Sequence, residues 1–165
     1  MSTNKKIILG ADPFGFDIKE VIKHHLQKLG YEITDVGTLD KDHPVDYYNV
    51  GYNVGKAIAD KKFERGLVFC GSGMGVNIVA NKFPGVYCGI VESIYTAQLC
   101  RTINNCNVLS LGGFLNGAIK ACKMVDAFLN TEFAASNDEV DPIFLKESYK
   151  KIAEIEKNIF TEYNK

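Results

Sequence analysis

The segment Cys70-Gly71-Ser72-Gly73-Met74-Gly75-Val76-Asn77 gathers the residue types best suited to chemistry in this 165-residue chain. Three glycines in five residues let successive backbone N–H groups close around an oxyanion at the mouth of a following helix. Cys70 ends the apolar run Leu67-Val68-Phe69, where a strand meets a helix N-terminus, a setting in which thiolates form near neutral pH. A thiolate there acts as general base or nucleophile; the alternative is a small residue closing a buried strand, and spacing alone leaves both open. The loop lacks the Gly-Lys-Ser/Thr ending of a P-loop, and Val76 stands where a dinucleotide fingerprint needs its third glycine. No nicotinamide or other cofactor is expected.

Further candidates lie at other predicted strand ends: Asp12, Glu92 with Ser93, and Gly112-Gly113. Asp12, followed by Pro13, serves either as a turn residue or as a ligand contact. The other cysteines, Cys88, Cys100, Cys106 and Cys122, fall in strand or helix patterns and read as core. No Cys-x-x-Cys occurs, and His24, His25 and His43 form no metal-ligand pattern, so no metal is expected.

The elements that position these residues follow from periodicity. Lys5–Leu9 reads as a strand, Gly10–Gly15 as a turn, and Phe16–Leu29 as a helix burying Ile18, Val21, Ile22, His25, Leu26 and Leu29, with Lys19, Glu20, Lys23 and Lys28 in water. Gly30 stops it. Strands follow at Tyr31–Val36, Leu67–Cys70, Val86–Val91 and Asn107–Leu111; helices at Asp46–Lys62, after the glycine turn to Asn81, at Ile94–Asn104 and at Leu115–Leu129. Such alternation predicts one α/β domain over 1–165, a three-layer α/β/α sandwich on a five-stranded parallel Rossmann-like sheet. After a polar connection over Asn130–Pro142, Ile143–Tyr163 reads as a C-terminal helix covering an edge or, by preference, reaching another subunit.

Nineteen basic against twenty acidic residues leave a charge of -1, so neither nucleic acid nor an anionic membrane is an expected partner; the ligand is a small molecule. The apolar stretch after Met1–Lys6 is too short for a signal core or a membrane span, and the odd cysteine count suits reduced thiols, so a cytoplasmic protein is expected.

Gly10-Ala11-Asp12-Pro13-Phe14-Gly15-Phe16, Asp35-Val36-Gly37-Thr38, Asp46-Tyr47, Cys70 to Gly75, Ala80 to Gly85 and Asn104 to Gly113 together resemble the type B ribose-5-phosphate isomerase and galactose-6-phosphate isomerase family, in order, from about Lys5 to Phe133. The resemblance implies a metal-independent aldose–ketose isomerase working through a cis-enediolate, in a homodimer or dimer of dimers with sites between subunits. It implies Cys70 as the base, Ser72 (usually Thr) polarising the substrate, and amides from Gly71 through Gly73 and Met74 to Gly75 facing the enediolate oxygen. Asp12, Tyr47 and Asn104 would hold sugar hydroxyls, with Asn77 closing the binding segment. Three positions depart from the family: Ile103 replaces a ring-opening histidine, Pro13 a phosphate-binding histidine, and Phe114 a phosphate-binding arginine. The departures imply a tetrulose phosphate, an unphosphorylated sugar, or a phosphate held by lysines such as Lys146 or Lys150. A non-catalytic sugar-binding α/β subunit is the alternative of another class.

Overall fold

The computed structural model describes residues 5–40, 42–135 and 140–163; the start of the Met1–Lys6 segment and the middle of the Asn130–Pro142 connection lie outside them. Eleven elements follow in chain order: β1 (Lys6–Ala11), α1 (Phe16–Lys28), β2 (Glu32–Asp35), α2 (Tyr47–Ala59), β3 (Gly66–Cys70), α3 (Met74–Ala80), β4 (Cys88–Ile90), α4 (Ile94–Thr102), β5 (Val108–Gly112), α5 (Ala118–Asn130) and α6 (Pro142–Tyr163). The strands form one parallel sheet in the order β2-β1-β3-β5-β4.

Period-two alternation divides the strand side chains between two cores. Ile7, Leu9, Leu67, Phe69, Leu109 and Leu111 pack against α1, α4 and α5 on one face; Ile8, Val68, Cys70 and Val108 pack against α2 and α3 on the other. The three-layer expectation therefore holds. Among the described residues no helix is long and apolar enough to cross a membrane.

Four local expectations need correction. Lys19 is 0% exposed: its Nζ reaches Asp35 Oδ2 and Glu20 Oε1, each at 2.8 Å, and donates to Thr38 O at 2.5 Å. Its aliphatic stem crosses the core edge while the ammonium finds three oxygens at the end of β2, a convergence that helical spacing does not reveal. Val21 and Leu29, assigned to the buried face of α1, are exposed. The edge strand β4 is half the expected length, with β5 on one side and, among the described residues, no partner strand on the other. Helix α5 starts at Ala118 rather than Leu115, because residues 113–117 are taken up by a loop over the carboxyl end of the sheet.

Helix α6 packs on the segment leading into edge strand β4: Glu156 accepts the Gly85 N–H at 3.0 Å, and Tyr149 meets the rings of Tyr87 and Phe133. Its isoleucines Ile152, Ile155 and Ile159 stay substantially exposed.

Candidate active site

The connection out of β1 runs to β2 on one side of the sheet, and the connection out of its neighbour β3 runs to β4 on the other side. This is the switch point at which open α/β sheets bind ligands beyond their carboxyl ends. Asp12 and Cys70 lie at that place on neighbouring strands: Ala11 pairs with Phe69, and the Asp12 N–H donates to Phe69 O at 3.2 Å. Asp12 serves the turn, accepting the Phe14 and Gly15 N–H groups on Oδ1 at 2.9 Å each, while its Oδ2 takes no hydrogen bond among the described residues. Burial holds its carboxyl above the usual aspartate value, although the two amides oppose the shift, and nearby Asp46 adds to it.

Cys70 is 5% exposed and belongs to the α2/α3 core, yet its Sγ also accepts the Gly73 N–H at 3.1 Å. Strand-end packing and a polarised sulfur thus coincide in one residue. Gly73 has φ +79°, which a side chain rarely tolerates, and its carbonyl is fixed by Ser110 Oγ at 2.6 Å. Ser72 Oγ accepts the Met74 N–H at 3.2 Å. The loop therefore turns the Gly73 amide onto the thiol and the Met74 amide onto the serine hydroxyl; Gly71 and Gly75 complete the cradle. The Tyr47 ring stands where a Cβ on Gly75 would fall, within 2.6 Å, so that tyrosine and the exposed Met74 border the loop.

Two predicted residues lie elsewhere. Asn77, one turn into α3, donates from Nδ2 to Cys88 O at 2.7 Å and so ties α3 to β4. Asn104 is exposed between α4 and β5, at the amino end of the sheet. The five-residue strand β5, which spans about 13 Å, separates that end from Gly112 beside Cys70. Ser93 caps α4 through the Thr96 N–H at 3.0 Å.

The aromatic mouth is what sequence reasoning missed. Phe14 and Phe114, 66% and 71% exposed, meet edge to face with ring centroids 5.6 Å apart, and the Phe114 ring lies within 2.4 Å of a Cβ built on Gly71. The residue types were visible on either side of the predicted turns, but their meeting depends on two loops that only the sheet brings together. A cavity of about 330 Å³ lined by Lys6, Tyr31, Arg65 and Arg101 occupies the opposite end of the sheet.

A thiol with a directed amide, a buried carboxylate and a glycine cradle at the switch point of a parallel sheet define an α/β enzyme of acid–base chemistry on a small oxygenated substrate. The model of the Ribose/Galactose Isomerase family matches residues 7–143, and the chain belongs to that family. It is 41% identical over 155 residues to the 4-deoxy-4-sulfo-D-erythrose isomerase of Clostridium sp. (strain MSTE9), covering 94% of this chain and 98% of that one. It is 36% identical over 127 residues to the D-erythrulose-4-phosphate isomerase of Pectobacterium atrosepticum, covering 77% and 84%. The solved structure of ribose-5-phosphate isomerase B from Clostridium thermocellum superposes with a TM-score of 0.84 at 36% identity, over 93% of this chain and 99% of that one. The reaction class follows: the chain is an aldose–ketose isomerase.

Proposed function

We propose that the enzyme interconverts a four-carbon aldose and its ketose, the substrate carrying a terminal sulfonate, with Cys70 as the base. The observation that carries this reading is the Phe14–Phe114 pair beside Pro13 and Gly71, an apolar wall where the family's phosphate-binding histidine and arginine stand. A sulfonate bears one negative charge throughout the working range, whereas a phosphate monoester bears about -1.5 to -2 near pH 7. Asp12 and Asp46 stand close enough at this end to act on each other, and both oppose a second negative charge. Ile103 supports the same substrate class. A tetrose whose C4 carries sulfonate or phosphate has no C4 hydroxyl with which to close a furanose ring, so it needs no ring-opening histidine.

The chemistry follows from the loop. The Cys70 thiolate takes the proton from C2 of the aldose and returns it to C1, the C2 hydroxyl proton passing to the C1 oxygen, and the amide that bonds Sγ steadies the thiolate before the first transfer and after the second. As the proton leaves, charge moves onto the carbonyl oxygen, which faces the cradle of Gly71, Gly73 and Gly75 and the Ser72 hydroxyl, dipoles already oriented before reaction. Asp12 Oδ2 and Tyr47 hold substrate hydroxyls. Asn104 reaches the site from a second copy of the chain, so the working unit is a homodimer or a dimer of dimers. Five free thiols support a reducing, cytoplasmic setting.

Measuring kcat/KM for 4-deoxy-4-sulfo-erythrose, erythrose 4-phosphate and ribose 5-phosphate under one set of conditions tests the reading. The sulfonate is expected to be best and ribose 5-phosphate poorest. Ribose 5-phosphate as the best substrate would overturn it.

A further inference from the structure

Cys100, in the last turns of α4, and Cys106, two residues before β5, bracket the segment that carries Ile103 and Asn104. The Cys106 N–H donates to Cys100 O at 2.9 Å, which brings the two backbones together as a disulfide requires. Both sulfurs press on one glycine: a Cβ on Gly89 would stand 3.2 Å from Cys106 Sγ and 3.5 Å from Cys100 Sγ. The Cys100 thiol donates to Ala97 O at 3.2 Å, and the two sulfurs lie near enough to shift each other's ionisation. We propose that Cys100 and Cys106 are a modification site, forming a reversible disulfide that hydrogen peroxide closes and a small thiol reopens.

The pair is chemically asymmetric in the way such a reaction requires. The neighbouring Cys100 thiol and the Arg101 guanidinium hold the Cys106 thiol below the usual cysteine value against its burial; the Cys106 sulfur, with burial, pushes Cys100 up. Burial also pushes up their neighbour Cys88. The Cys106 thiolate attacks one peroxide oxygen, breaking the O–O bond to give a sulfenic acid and, after protonation, one water. The Cys100 sulfur then attacks the Cys106 sulfur; the S–O bond breaks, and the hydroxyl leaves with the Cys100 proton as a second water. Two electrons pass from the thiol pair to the peroxide. Arg101 Nη1 already holds Asn105 Oδ1 at 2.9 Å and Cys106 O at 2.6 Å, so the segment is folded round the guanidinium before the bond closes.

The bond clamps the 101–105 segment. Its effect on turnover rests on the proposed function, in which Asn104 enters a neighbouring copy's site. The full chain is treated with hydrogen peroxide, its remaining thiols are alkylated, and tryptic peptides are mapped without reduction. Arg101 lies between the two cysteines, so the bond appears as a link between Phe83–Arg101 and Thr102–Lys120. The link is expected in wild type and in Cys88→Ser, absent in Cys100→Ser, and reversed by dithiothreitol. Absence of the link in wild type, or its survival in Cys100→Ser, overturns the proposal. Turnover is expected to fall several-fold with the link and to be spared in Cys100→Ser at the same dose, which separates this event from oxidation of Cys70. A link that forms with turnover unchanged leaves the thiol pair standing and removes Asn104 from the site.

Discussion

Phe114 closes over Gly71: its N–H donates to Gly71 O at 2.9 Å, and its ring fills the space a Cβ at position 71 would need. The loop after β5 is thereby fastened to the loop that holds the thiol, and an aromatic side chain stands at the mouth. Because the ring is largely exposed, an arginine can replace it with its stem along Gly71. Phe114→Arg is expected to raise kcat/KM for erythrose 4-phosphate relative to the sulfonate substrate by about tenfold, the worth of one charge-assisted hydrogen bond. An unchanged ratio would show that selectivity resides elsewhere.

Cys70→Ala should fold normally and lose about 10²- to 10⁴-fold in turnover, since the thiol is the loop's own titratable group. Cys70→Ser should be nearly as slow, an alcohol being a far weaker acid. Exchange of the C2 hydrogen with solvent gives the cleanest readout; near-normal exchange in either variant removes Cys70 from proton transfer.

If Asn104 serves a neighbour's site, Cys70→Ala and Asn104→Ala subunits complement each other. Neither variant alone is active, but subunits refolded together in equal amounts should recover about a quarter of wild-type activity, from mixed dimers carrying one intact site. Light scattering should report at least twice the 18.3 kDa chain mass. No recovery on mixing would place Asn104 outside the partner's site.

Lys19→Met leaves Asp35 and Thr38 O short of a buried donor. Removing one member of a buried ion pair costs about 3–5 kcal/mol, and Lys23, 2.9 Å from Asp35 Oδ2, keeps the loss toward about 3 kcal/mol. Urea midpoints at neutral pH measure it; a stability within about 0.5 kcal/mol of wild type contradicts the assignment.

Asp12 gives a pH signature. Its folded-state pKa is raised, so the native state binds the proton more tightly than the unfolded chain, and stability is lost as pH climbs through that raised value. Asp12→Asn keeps the Oδ1 acceptor and removes the charge. Its melting temperature should exceed that of wild type at pH 7, the gap closing as pH falls toward the ordinary carboxylate value of 3.8, while turnover declines. A gap that persists at low pH would point to packing rather than ionisation.

Much of this molecule was legible from periodicity and punctuation. Alternating apolar runs and amphipathic stretches identify a parallel sheet between helices, and glycine spacing after Phe69 identifies the loop that holds Cys70, because backbone freedom and helix faces are local properties of neighbouring residues. Lys19 shows where locality ends: its spacing on α1 assigns it to solvent, but the return of β2 brings three oxygens to its Nζ, and burial follows from that convergence. Phe14 and Phe114 are a hundred residues apart and share the mouth only because β1, β3 and β5 lie side by side. Asn104, matched to a motif by its neighbours, is carried by the same sheet to the end away from Cys70. Side-chain type and short-range spacing are written in the chain; which distant loops meet depends on strand order, and strand order is settled by how all the apolar faces are buried at once.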